Sequence, residues 1–113
     1  MRELLDDMAL LLTDLLQSGM DTGGPSAVPR LRRLAVRCED VGLHTGGALL
    51  TGLAEALDAR SHTVTKDDLP AAALLCRAAR YVSLCRERLE EEDIRAGWQS
   101  AAHPTGEQEQ GGA

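Results

Sequence analysis

From residue 4 to residue 16 the apolar side chains Leu4, Leu5, Met8, Leu11, Leu12, Leu15 and Leu16 recur at steps of three and four. At about 100° per residue they share one arc of an α-helix, with Glu3, Asp6, Asp7, Thr13 and Asp14 facing away. Leu10 alone of the leucines falls on the polar side. The acidic residues near the start suit the positive end of a helix dipole, and the helix is expected to end before Gly19. The stretch "SGMDTGGPSA" has turn composition and offers Ser26 as an N-cap, with Pro29 at the third position of the next helix. That second helix is predicted from about Ala27 to Val41. Val28, Leu31, Leu34, Ala35, Cys38 and Val41 face inward in it, and Arg30, Arg33 and Arg37 face outward. Gly42 stands where a left-handed residue closes a helix, and Leu43 can pack back over the last turn.

A third helix is predicted with Thr45 as N-cap, running to about Arg60 and burying Leu49, Leu50, Leu53, Ala54 and Leu57. After a polar connection from Ser61 to Lys66, "TKDDLPAAALL" marks another start, with Asp67 or Asp68 as N-cap and Pro70 in the first turn. The fourth helix is expected to continue to about Asp93. Its apolar positions, among them Leu75, Cys76, Ala78, Tyr81, Val82, Cys85 and Leu89, cover more than half the circumference, which predicts a central helix contacted from two sides. At 1.5 Å per residue it reaches about 39 Å against about 24 Å for the others, so its last turns should project past the bundle. Ile94 and Trp98 extend an apolar line there beside the acidic run Glu90 to Asp93. The expected architecture is an all-α, four-helix antiparallel bundle with a long C-terminal helix, one domain over 1–98, and a disordered polar tail over 99–113.

Gly47 and Gly52 stand at the G-x-x-x-x-G spacing of a phosphate-cradling loop. Such a loop needs a preceding strand, and a Lys followed by Ser or Thr after the second glycine. Here Leu53 and Ala54 fill those places and an Arg-rich helix precedes, so the glycines read as a joint between helices. Gly52 in mid-helix, together with Gly42 and Gly46, suggests close approach of a neighbouring helix.

Composition narrows the classes of chemistry. The apolar residues are mostly Leu, Ala and Val, with no Phe, one Tyr and one Trp, a set that favours helices over pleated surfaces. Eleven Arg against one Lys points to a GC-rich, bacterial coding sequence. Asp6, Asp7 and Asp14 interrupt the first apolar stretch, no uninterrupted apolar run approaches the roughly 20 residues of a membrane span, and no export signal is legible. Cys38, Cys76 and Cys85 lie on predicted apolar faces and read as reduced core thiols of a cytoplasmic protein. They lack zinc-ligand spacing, and Cys76 and Cys85, nine residues apart on one helix, point to opposite sides. Ser61 beside His62 has no elbow motif around it, and the carboxylates sit on outward faces or at caps. No catalytic residue, cofactor, metal or small-molecule substrate is therefore expected.

The net charge of −6 hides an asymmetry. Arg30, Arg32, Arg33 and Arg37 form a basic patch on the second helix, opposite an acidic first helix that can pair with it. Residues 11–60, with the turn "GMDTGGP", the Arg-rich helix and the junction "GLHTGGALL", resemble helical segments that accompany bacterial SWIM zinc-finger proteins. The C-x-C and C-x-H zinc ligands of that family are absent. The resemblance implies an accessory helical module working beside larger proteins, and transfers no site residue. The sequence points to a non-enzymatic adaptor or accessory subunit that binds another protein, or itself, through Leu10, Leu89, Ile94 and Trp98. The alternative is a small nucleic-acid-associated regulator whose Arg30, Arg33 and Arg37 follow phosphates.

Overall fold

The computed structural model describes residues 1–63 and 68–102. These residues form four helices and no strand. The helical run Arg2–Asp40 is broken at Gly19 (φ 80°, ψ 165°), so it comprises two helices, α1 (2–18) and α2 (20–40). They are followed by α3 (His44–Ser61) and α4 (Leu69–Ala102). The tail expected over 99–113 falls partly in α4, and its remainder lies outside the described residues, as do residues 64–66 of the expected connection.

Contacts between helices fix their directions. Asp7 with Arg37 and Asp14 with Arg30 run α1 against α2. Gly24 beside Leu57 and Gly47 beside Glu39 do the same for α2 and α3. Gly46 beside Tyr81 and Gly52 beside Leu74 reverse α4 relative to α3, and Arg2 with Asp93 and Asp6 with Arg86 return it along α1. Each helix is thus antiparallel to both neighbours, as short connections between consecutive helices require. One core fills the middle: Leu5, Met8 and Leu11 of α1, Leu31 and Cys38 of α2, and Leu50 and Leu53 of α3 are almost wholly buried. Each such leucine contributes about 1.5–3 kcal/mol of transfer free energy.

The α1–α2 junction differs from expectation. Ser26 does not cap α2; its Oγ donates back to the Gly23 carbonyl at 3.1 Å, within a helix that already began just after Gly19. Glycines that read as loop are helix contacts instead. A Cβ on Gly23 would lie 3.0 Å from the Ser18 Cβ, and one on Gly24 would lie 3.4 Å from a Leu57 methyl. The hairpin is therefore tight enough for its first helical turns to pack directly. Pro25 and Pro29, four residues apart, both sit on the exposed face, where carbonyls lacking a helical donor can take water.

Other local corrections share one cause, the limited width of a buried stripe. Leu16, expected inside, is 62% exposed, because it lies at the edge of the arc where α1 ends. Val41 is exposed as the C-cap residue of α2. The α2 terminus closes as a Schellman motif: Leu43 N–H donates to the Cys38 carbonyl at 2.8 Å and Gly42 N–H to the Glu39 carbonyl at 3.1 Å, with Gly42 at φ 85°. Thr45 is not an N-cap, since α3 already includes His44 and Leu43 occupies the cap without a side-chain bond.

Helix α4 is contacted from two sides, by α3 and by α1, as expected, but it is no more central than its three companions. It buries a single line, Ala71, Leu75, Ala78 and Val82, with Leu74, Ala79, Tyr81, Cys85 and Leu89 partly covered at its margins. Cys76 is exposed, so it is no core thiol. Small residues at positions 71 and 78 let α4 lie close without needing a second buried face. Asp68 sits at its N-cap position, where its carbonyl accepts the Ala72 N–H at 2.8 Å. The Asp68 carboxylate instead takes the Nε–H of the largely buried Arg60 at 2.5 Å, tying the end of α3 to the start of α4.

Candidate functional site

The glycine-rich junction is a helix N-terminus that the chain itself covers. The Glu39 carboxylate leans over the first turn of α3 and meets His44 Nδ1 at 2.5 Å. A Cβ on Gly47 would fall 2.5 Å from a Glu39 oxygen. On the other side the Tyr81 ring lies where a Cβ on Gly46 would come within 2.8 Å. A negative group at the positive end of a helix is favourable, and here an internal carboxylate occupies that place. Burial, with hydrogen bonding to Cys85 adding to it, pushes the Tyr81 hydroxyl up to about 12 against a weaker opposite pull from the Gly46 backbone. Gly42 has nothing within 4 Å of its missing side chain, so the sharp turn and not close approach explains it. Gly52 stands in ordinary contact with Leu74 at 3.6 Å.

Arg30, Arg33 and Arg37 of α2 line an open groove against α1 with Asp7 and Leu10. Arg37 Nη1 donates to Asp7 at 2.8 Å, and Arg30 lies 3.9 Å from Asp14. Of the three candidate phosphate ligands, Arg33 has no carboxylate partner among the described residues. The acidic helix thus answers much of the basic one, although each exposed pair adds only about 0–1 kcal/mol. Leu10 sits in this groove, 60% exposed.

The remaining candidates lie on α4, where Leu89 is partly buried against the core. It borders a second, more apolar groove with Met1, Leu5, Leu43, Tyr81 and Leu84. Ile94 and Trp98 are 61% and 73% exposed, beyond the level at which Arg2 pairs with Asp93. Leu10 and the pair Ile94 and Trp98 are thus not brought together. Leu84 and Leu69 are also exposed on α4, where a helix expected to be covered on more than half its circumference offers no outward apolar residue.

Cys38 is fully buried beside Met8, 3.6 Å from its sulfur. Burial first, then the charge of Glu39, raises its thiol above the usual range. Such a thiol is shielded from both metal and oxidant. Among the described residues no three His, Cys, Asp or Glu side chains gather as metal ligands do. No helix among them is long and apolar enough to cross a membrane. Compared with family profiles, curated proteins and solved structures, the chain finds no match.

Proposed function

We propose that this chain is a protein–protein interaction module, an adaptor or accessory subunit that works by binding and not by catalysis. The observation that carries the reading is the outer and terminal surface of α4, where Ile94 and Trp98 stand in solvent one turn apart. An exposed tryptophan offers on the order of 3–4 kcal/mol when covered, and aromatic side chains dominate the energetics of interfaces. Among the described residues, nothing in the bundle's packing covers it. The polar residues around it, Glu90 to Asp93 and Arg95, supply the kind of rim that surrounds an apolar contact. A nucleic-acid role through Arg30, Arg33 and Arg37 has less support, because Asp7 and Asp14 already occupy two of the three.

The test compares immobilised wild-type chain with an Ile94→Ser/Trp98→Ser variant in extract of the source cells, reading retained proteins by quantitative mass spectrometry. A protein, this chain included, held by the first and lost from the second supports the proposal. Identical retention on both would refute it.

A further inference from the structure

On the reading of α4 as a binding surface, we infer that its occupant is a second copy of this chain, packed antiparallel along the solvent face of the helix. At about 100° per residue, that face lies opposite Leu75 and Val82, two of the residues this helix buries in the core. Leu84 stands near its middle, 51% exposed, and on either side of it charges of opposite sign and then apolar residues recur at nearly equal spacing. Seven residues before Leu84 is Arg77 and seven after it is Glu91. Arg80 lies four before and Glu87 three after. Farther out, Ala73 and Ile94 are eleven before and ten after, and Leu69 and Trp98 fifteen before and fourteen after.

An antiparallel copy related by a two-fold axis through Leu84 therefore sets Arg80 against Glu87, Arg77 against Glu91, Ala73 against Ile94 and Leu69 against Trp98. Leu84 meets itself. Each contact occurs twice, as a self-complementary two-fold interface requires. All of these side chains are exposed in the single chain, and the two arginines and two glutamates make no ion pair with other described residues. Leu69, 76% exposed at the start of α4, is set against Trp98 of the second copy. Arg88, which would stand near the partner's Arg80, is turned to the flank, into the groove it shares with Tyr81 and Glu92. A parallel pair would set Arg80 against Arg80 and Glu87 against Glu87, so the charge pattern itself selects the direction.

Sedimentation equilibrium of the full chain tests this. The wild type should sediment as a dimer of its 12.1 kDa chain. Arg80→Glu and Glu87→Arg, each at an exposed position, should each weaken association at least tenfold while leaving the helical circular dichroism unchanged. Mixing the two variants should restore dimers, because each then meets an opposite charge at both positions, and the double variant should dimerise alone. A wild-type chain that stays monomeric, or a dimer indifferent to the single reversals, overturns the inference. A monomer that still captures another protein through Trp98 would sink the two-fold pairing and leave the interaction module standing.

Discussion

Alanine at Gly46 should destabilise this bundle, whereas the same change at Gly52, six residues along the same helix, should stabilise it. Intrinsic propensity favours alanine in a helix interior by about 1 kcal/mol, and by less in the first turn, where Gly46 lies. Surroundings decide the sign. At Gly52 the new methyl would meet Leu74 methyl carbons at 3.6 Å, ordinary contact, so most of the propensity gain survives, about 0.5–1 kcal/mol. At Gly46 it would sit 2.8 Å from Tyr81 Cε2 and 3.3 Å from Cζ. Relieving that overlap means moving a partly buried ring, an overpacking cost of about 1–3 kcal/mol, for a net loss near 1 kcal/mol. Removing the ring should reverse the outcome. In a Tyr81→Ala background, Gly46→Ala should become stabilising, giving a coupling of about 2 kcal/mol across the double-mutant cycle. Thermal and urea unfolding followed by far-ultraviolet circular dichroism would resolve this, since 1 kcal/mol moves the midpoint of a domain this size by roughly 4 °C. If Gly46→Ala raised stability equally with and without Tyr81, the close approach of α4 to the α3 N-terminus would be wrong.

Four further outcomes probe other parts of the structure. Leu31→Ala should cost about 3–5 kcal/mol by emptying a fully buried site, whereas Leu16→Ala should change stability by less than about 0.5 kcal/mol, both read from urea midpoints. Gly42→Ala should cost about 1–2 kcal/mol, because its φ of 85° is strained for any residue with a Cβ, and Gly42→Asn should lose less in the same assay. With a thiol-labelling reagent under native conditions, Cys76 should react promptly and Cys38 only on unfolding; equal rates would contradict the burial of Cys38. Tyr81 holds its proton to about pH 12 in the folded chain against about 10 when unfolded, so the stability it contributes is intact below pH ~10 and declines as pH rises toward 12. Tyr81→Phe should flatten that decline, and urea midpoints across the alkaline range would show whether it does.

Periodicity by itself specified the helical class, the inward leucines of α1 apart from Leu16, the outward arginines of α2 and the glycine-closed end of that helix. Those features depend on residues three or four apart, or on one glycine in a left-handed turn, and such information is local. The pairing of Arg30 and Arg37 with the acidic helix was legible too, since opposite charges on adjacent antiparallel helices leave few other arrangements. Tertiary contact decided the rest. Whether "DTGGPS" becomes loop or helix depends on Leu15, Ser18 and Leu57 standing near Gly23 and Gly24, and no local pattern reports those neighbours. Likewise α4 has enough apolar residues for two buried faces, but the number of helices available to cover them is a property of the assembled bundle. Only there does one face become core while Leu69, Leu84, Ile94 and Trp98 are left in water, because three companion helices close around a single interior and cannot also wrap the outside.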